Sequence, residues 1–239
     1  MFYGEDLAHV HDVGFAFHAI DAGPFVLETL RGAGIGSGDV LEIGCGSGLL
    51  AEVVAGAGFA VHGSDLSAPM IDLARARVPG CTFEVGSYLD LAFPPCDAVV
   101  ATGEVFNYTA DEGVGPDAVA RVFKRVGSAV RPGGVFVFDA ATPGRCPPGS
   151  MERNFEADDR SWAILLRVSE VEGVLTRDMT VFVREGELYR RSVEVHRLRL
   201  YEPEWLVAAL DAAGFDAVVR DGYGRTFPPG LKAFIATKR

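Results

Sequence analysis

The sequence has 239 residues, of which 49% are hydrophobic, 10% aromatic and 23% charged. That apolar share is ample for a packed core, and the charge is too low for a disordered chain. Lys+Arg 22 against Asp+Glu 33 leaves a net charge of −11, a surface that repels phosphate backbones and argues against a general nucleic-acid or anionic-membrane binder.

Cys45, Cys81, Cys96 and Cys146 form no CxxC pair, and their spacing matches no zinc ribbon or finger, so no metal site is expected. The stretch MFYGEDLAHVHD lacks the basic and apolar regions of a secretory signal. No run approaches the roughly 18 apolar residues of a membrane helix. A cytoplasmic protein with free thiols, monomeric or homodimeric, is the expectation.

In chain order, residues 16–34 read as a helix interrupted near Gly23-Pro24. Val40–Ile43 is a short strand entering a glycine turn, Leu49–Ala57 a helix, and Phe59–Gly63 a strand leading to Asp65. Ser67 is placed to cap a helix that runs to Arg77, with Pro69 in its first turn, where a missing N–H costs little. Cys81–Val85 is a third strand, and Asp97–Thr102 a fourth, the kind of apolar run that is buried on both faces of a parallel sheet. Asp117–Val130 is a helix, Arg131–Gly134 a turn, and Val135–Phe138 a fifth strand ending at Asp139. Strands separated by helices imply a doubly wound α/β sheet with right-handed crossovers.

The pattern changes after Thr142. Pro143–Ser150 reads as a Pro/Gly loop, and Trp162–Val171, Val174–Val183 and Glu187–Leu200 as antiparallel strands turning near Glu172-Gly173 and Glu185-Gly186. The α/β pattern returns with helix Pro203–Ala213 and strands Phe215–Arg220 and Lys232–Thr237. The organisation is therefore an N-terminal helical flap (1–34), an α/β domain (35–142 and 201–239) and a β-rich insertion (143–200) serving as a substrate lid or a dimerisation surface.

The informative segment is Val40-Leu41-Glu42-Ile43-Gly44-Cys45-Gly46-Ser47-Gly48. A strand delivers the chain to a turn too tight for side chains, and its N–H groups face a ligand at the start of the next helix. The motif is GxGxG, not the dinucleotide GxGxxG, because Leu49 fills the last position. Asp65, at the end of the next strand, is placed to accept hydrogen bonds from both hydroxyls of a ribose.

With these residues the sequence resembles the class I S-adenosylmethionine-dependent methyltransferases. VLEIGCGSG is similar to their first motif, with Glu42 as its acid. Asp65 in VHGSDLS is similar to the ribose-binding acid, CDAVVATGEVFNY to the fourth-strand motif, and RPGGVFVFD to the turn and strand that follow. The resemblance implies a Rossmann-like seven-stranded sheet whose last strand is antiparallel, with the antiparallel insertion between strand 5 and the last helix. It also implies S-adenosyl-L-methionine as the cofactor, bound by Glu42, Gly44, Cys45, Gly46, Gly48, Asp65, Leu66, Met70, Ser87, Tyr88, Thr102 and Gly103. The family often has an acid just after the third strand for the adenine amino group; here Ser87 or Asp90 takes that place.

S-adenosylmethionine brings its own leaving group, so the protein must chiefly orient a nucleophile and exclude water, and a base is needed only if that nucleophile arrives protonated. Glu104, Asn107 and Tyr108, beyond the fourth strand, are candidates to orient or deprotonate a substrate, and His9 or His11 to act as a base. The catalytic set expected is Glu104, Tyr108 and His11. On the insertion, Trp162, Tyr189, Arg190, Arg191 and His196 are candidates to face the pocket, only half of them at once on alternating strands. The expected function is methyl transfer to an O, N or C nucleophile of a small molecule; the alternatives are a non-catalytic S-adenosylmethionine-binding protein and, further off, an NAD(P)-dependent oxidoreductase.

Overall fold

A computed structural model describes residues 2–111 and 113–239. Its centre is a seven-stranded sheet made of β1 (Asp39–Ile43), β2 (Ala60–Asp65), β3 (Thr82–Val85), β4 (Cys96–Ala101), β5 (Val130–Ala141), β10 (Phe215–Arg220) and β11 (Leu231–Lys238). The order across the sheet is β10-β11-β5-β4-β1-β2-β3. The first five strands pair in parallel, and β11 runs antiparallel to both β5 and β10, with Phe234 opposite Phe138. The sheet therefore carries the antiparallel last strand that the sequence implies.

Parallel strands need crossovers, and α3 (Leu49–Gly56), α4 (Ala68–Arg77) and α5 (Pro116–Ala129) supply them. Ser67 caps α4 by accepting the N–H of Met70 at 3.3 Å, with Pro69 at the tolerated start of the helix. One face of the sheet packs against α5 and α6 (Pro203–Ala212) through Phe106, Phe123, Phe136, Phe138, Phe215 and Phe234, all essentially buried. Burying each such ring contributes about 1.5–3 kcal/mol. The stacked pair Phe138–Phe234, with centroids 4.8 Å apart, adds about 0.5–1.5 kcal/mol.

The structure departs from the sequence reading in three places. α2 (Phe17–Gly32) runs unbroken through Pro24. A mid-helix proline costs about 3 kcal/mol, here offset by a buried face of Ala22, Val26 and Leu30 in the second core layer. Gly23 seats α2 on α3, where a Cβ would come within 2.8 Å of Val53. Second, Arg131–Gly134 is a bulge inside β5, because the register jumps from Cys96↔Val130 to Ala98↔Val135. Asp97 pins that bulge, pairing with Arg131 at 2.5 Å and accepting the N–H of Asp39 at 2.8 Å.

Third, the insertion forms four strands, not three: β6 (Ser150–Glu156), β7 (Trp162–Val171), β8 (Val174–Glu185) and β9 (Leu188–Arg199), in that spatial order. β6 went unmarked because Arg153 interrupts the one apolar row, Met151 and Phe155, so too little alternation is left to read. This second sheet docks in two ways. Leu7 and Val10 of α1 (Glu5–Gly14) pack on Trp162, Ile164, Met179 and Val181, while Val168, Leu175 and Leu198 pack on Ala141 at the end of β5. Asn107 pins the junction. Its amide donates to the Ala141 carbonyl at 2.8 Å and the Arg199 carbonyl at 2.6 Å, and its Oδ1 accepts the Ala141 N–H at 2.9 Å. That side chain is spent on the scaffold, which corrects its reading as a substrate contact.

Candidate active site

The site is built where β1, β2 and β4 end. After Ile43 the chain turns through Gly44, Gly46 and Gly48, all in the left-handed region with φ of +68°, +52° and +78°, where a side chain costs about 1–2 kcal/mol. At Gly44 a Cβ would also lie 2.5 Å from Val105. The turn brings the Gly46 N–H to 3.0 Å from Asp65 Oδ2, while the Ser67 N–H reaches Oδ1 at 2.8 Å. Two backbone donors thus fix the carboxylate, and each oxygen keeps lone pairs for a further donor. Burial raises the Asp65 pKa, and those two N–H groups offset part of the rise.

Asp65 lines a half-open cleft at the strand ends. Gly44, Gly46, Leu66, Met70, Ser87, Tyr88, Thr102, Gly103, Tyr108 and His11 line it too. Glu42, Cys45, Gly48 and Glu104 stand outside that lining. Glu42 is buried behind the turn, and burial together with the Asp65 charge pushes its pKa up to about 8. Cys45 packs in the core between the glycine turn and α3, its thiol pushed up by burial.

Glu104 departs furthest from its expected role. Its carboxylate bonds Arg177 of β8 at 2.6 Å and Arg145 at 3.1 Å. Burial pushes its pKa up, but the charges and hydrogen bonds of the two guanidiniums outweigh that and hold it well below the usual range. A carboxylate so paired is a poor proton acceptor and points away from the cleft. It ties the end of β4 to the second sheet.

Tyr108 does face the cleft. Its hydroxyl accepts from Arg177 at 3.1 Å and lies 3.2 Å from the hydroxyl of Tyr3. His11 is half-buried, its ring edge-on to Tyr3 with centroids 5.2 Å apart; loss of solvation, then the nearby His18, lowers its pKa to about 4, so the imidazole is neutral at physiological pH. The segment Phe2-Tyr3-Gly4 crosses the rim as a strap. Glu194 of β9 accepts the N–H groups of Tyr3 at 2.9 Å and Gly4 at 2.8 Å, and His196 lies 2.9 Å from the same carboxylate. Ser67 holds the same strap from the α4 side, its hydroxyl donating to the Tyr3 carbonyl at 2.7 Å. Of the insertion residues singled out in the sequence, His196 and Trp162 face inward, whereas Tyr189 is exposed.

Sequence reasoning missed Arg145, Arg177, Glu194 and Asp139. Asp139, fully buried at the end of β5, accepts the N–H groups of Gly103 and Glu104, the Tyr223 hydroxyl at 2.8 Å and His18 Nε2 at 3.1 Å. Burial disfavours the His18 cation, yet the Asp139 hydrogen bond and charge raise its pKa overall. Glu194 and His196 carried one usable signal, an i, i+2 pair on a single face of an alternating strand. Among the described residues no group of acidic, histidine and cysteine side chains suits a metal, and no helix is long and apolar enough to cross a membrane.

A family model described as "Methyltransferase domain" matches residues 40–134, from β1 through the glycine turn into β5. A crystal structure of an S-adenosylmethionine-dependent methyltransferase from Clostridium acetobutylicum superposes with a TM-score of 0.83 at 20% identity, covering 97% of each chain. Residues 40–134 thus match a methyltransferase domain, and the whole chain shares the fold of S-adenosylmethionine-dependent methyltransferases.

DesVI of Streptomyces venezuelae, also at TM-score 0.83, is 21% identical and covers 99% of this chain and 100% of its own, so the likeness of fold includes the second sheet. Among relatives by sequence, a ubiquinone biosynthesis O-methyltransferase of Aromatoleum aromaticum is 32% identical over 170 residues, 67% of this chain and 64% of that protein. The putative methyltransferase YqeM of Bacillus subtilis is 27% identical over 187 residues, 74% and 73% of the two chains. The site's residues fit S-adenosylmethionine as the methyl donor. A carboxylate with spare lone pairs stands at the end of β2, and a glycine cradle that side chains would fill lies beside a largely apolar cleft.

Proposed function

We propose that this methyltransferase moves a methyl group from S-adenosylmethionine to a small-molecule acceptor held between the cleft and the second sheet. The observation that carries the proposal is the Asp65 carboxylate, locked by Gly46 and Ser67 at the floor of a cleft roofed by the strap. In this reading Asp65 holds the ribose hydroxyls, and the cleft wall at Gly44, Thr102 and Gly103 flanks the amino-acid end. Leu66 and Met70 pack beside the base. The bound donor supplies an activated methyl group on a sulfonium.

The chain's own work is orientation and exclusion of water, which together are worth on the order of 7–11 kcal/mol in favourable systems. A second recess, lined by Phe2, Tyr108, Thr109, Ala110, Val195, His196 and Arg197, shares Phe2, Tyr108 and Ala110 with the first. The acceptor enters there, with its nucleophile beside the Tyr108 hydroxyl. His11 lines the main cleft and is neutral, so it serves as a hydrogen-bond partner that orients the acceptor, its lowered pKa making it as poor a proton acceptor as Glu104. Residues 143–200 act as the lid, with the strap and β9 closing together through Glu194. Among relatives of this fold, CalS10 of Micromonospora echinaspora is an amino pentose methyltransferase, so amino sugars belong beside phenols in an acceptor screen.

The test is calorimetric titration with S-adenosylhomocysteine, with NAD in parallel, followed by product assays on that screen. Micromolar binding of the first and none of the second is expected. NAD binding alone overturns the proposal. A protein that binds the nucleoside yet methylates nothing in a broad screen argues for a non-catalytic binder.

A further inference from the structure

Among the described residues, four buried side-chain polar atoms have no hydrogen-bond partner, and three of them belong to neighbouring residues: the Tyr88 hydroxyl, Asp111 Oδ2 and the Tyr201 hydroxyl. Buried polar groups are almost always paired, so each such atom calls for an explanation. Tyr88 and Asp111 both line the main cleft, on the side formed by Gly86, Ser87 and Leu66. Neither residue that the sequence offers for the adenine amino group presents an unengaged carboxylate to the cleft. The Ser87 hydroxyl already accepts the Leu89 N–H at 3.1 Å and keeps only one neutral lone pair, and Asp90 is exposed and outside the cleft lining.

A carboxylate offers only acceptors, and a phenol held in its protonated form offers one donor. Burial, followed by the nearby Tyr201 and Asp111, pushes the Tyr88 phenol well above its ordinary pKa, so it keeps its proton. The pair therefore presents an acceptor and a donor on one wall. A 6-aminopurine presents the complement on its outer edge, an amino group that donates and a ring nitrogen that accepts. A 6-oxopurine presents the reverse, with a carbonyl facing the carboxylate.

We infer that Asp111 and Tyr88 read the outer edge of the donor's purine, so that an acid from the segment after β4 selects a 6-aminopurine over a 6-oxopurine. The inference rests on the cleft being the donor site, as proposed above. It makes Asp111, three residues beyond Tyr108, a specificity residue supplied by the same segment that faces the acceptor. Replacing a matched edge by a reversed one leaves buried groups unpaired on both sides, which is the strongest form of discrimination a binding site makes.

The experiment is titration of the full-length protein with S-adenosylhomocysteine and with S-inosylhomocysteine, its 6-oxo analogue. The wild type is expected to bind the adenosyl compound at least tenfold more tightly. Asp111→Asn, nearly isosteric and so a mild change for folding, should cut that ratio at least fivefold or invert it, since an amide can donate to the 6-carbonyl. Tyr88→Phe should narrow it by a smaller factor. Asp65→Ala should weaken both ligands and leave the ratio unchanged. Equal binding of both nucleosides by the wild type, or an unchanged ratio in Asp111→Asn, would overturn the inference while leaving the donor site intact, with water filling the pocket end instead. If the wild type binds neither nucleoside, the donor-site reading falls and the inference with it.

Discussion

Glu104 separates a catalytic from a structural reading of the segment after β4. Its carboxylate is the shared partner of Arg177 and Arg145, with Oε2 at 2.6 Å and Oε1 at 3.1 Å. The side chains are only 8% exposed for Glu104, 17% for Arg177 and 20% for Arg145. Glu104→Gln keeps the shape but leaves two guanidiniums facing a neutral amide in a poorly hydrated junction. Breaking a buried ion pair costs about 3–5 kcal/mol. Arg145 regains some solvent, so the lower half of that range, about 3–4 kcal/mol, is the expectation.

With a urea m-value of roughly 3 kcal/mol per M for a domain of this size, the unfolding midpoint should fall by about 1 M. The triple replacement Glu104→Leu, Arg145→Met, Arg177→Met should recover most of the loss, because an apolar substitute for a buried ion network is often neutral. Urea denaturation by circular dichroism measures both, and turnover is assayed at low temperature, where the variants remain folded. A Glu104→Gln protein with wild-type stability and a turnover lowered a hundredfold would refute the structural reading and restore Glu104 as a base.

Asp65→Ala should weaken S-adenosylhomocysteine binding at least tenfold by calorimetry, equivalent to about 1.4 kcal/mol; unchanged affinity removes Asp65 from the donor site. Tyr108→Phe should lower kcat more than it raises KM for the acceptor, since the lost hydroxyl orients the nucleophile rather than anchoring the substrate, and a pure KM effect contradicts that role. His11 has a pKa lowered from 6.5 to about 4, so as pH falls through that interval the unfolded chain takes up a proton the folded chain refuses, and stability is lost. His11→Phe should flatten the fall in Tm between pH 6.5 and 4.5, whereas an unchanged slope would show that His11 does not carry it. Glu42, raised from 4.5 to about 8, acts in the opposite direction: its contribution is present below the first value and lost as pH rises through the second. Glu42→Gln should therefore raise Tm at pH 8.5 more than at pH 5, and an equal change at both would mean that the buried carboxyl does not titrate there.

Local physics was enough to read the α/β half of this protein from its sequence. Apolar runs such as Asp97–Thr102 suit only strands covered on both faces, the Ser67 cap sets where α4 starts, and three closely spaced glycines mark a turn that admits no side chains. Asp65 was legible for the same reason, because the end of a strand beside such a turn is a place that sequence spacing defines. Tertiary structure alone decided the partners of charged residues distant in the chain. Nothing local to Glu104 says that Arg145 and Arg177 will neutralise it, and nothing in the segment 109–111 says that an aspartate there will face the cleft. β6 escaped notice because Arg153 breaks its short apolar row between Met151 and Phe155, and α2 runs through Pro24 because packing on α3 outweighs the lost hydrogen bond. Hydrophobic periodicity records what faces the core, whereas the pairing of buried charges depends on which strands the fold places side by side; the first is written along the chain, and the second exists only once it has folded.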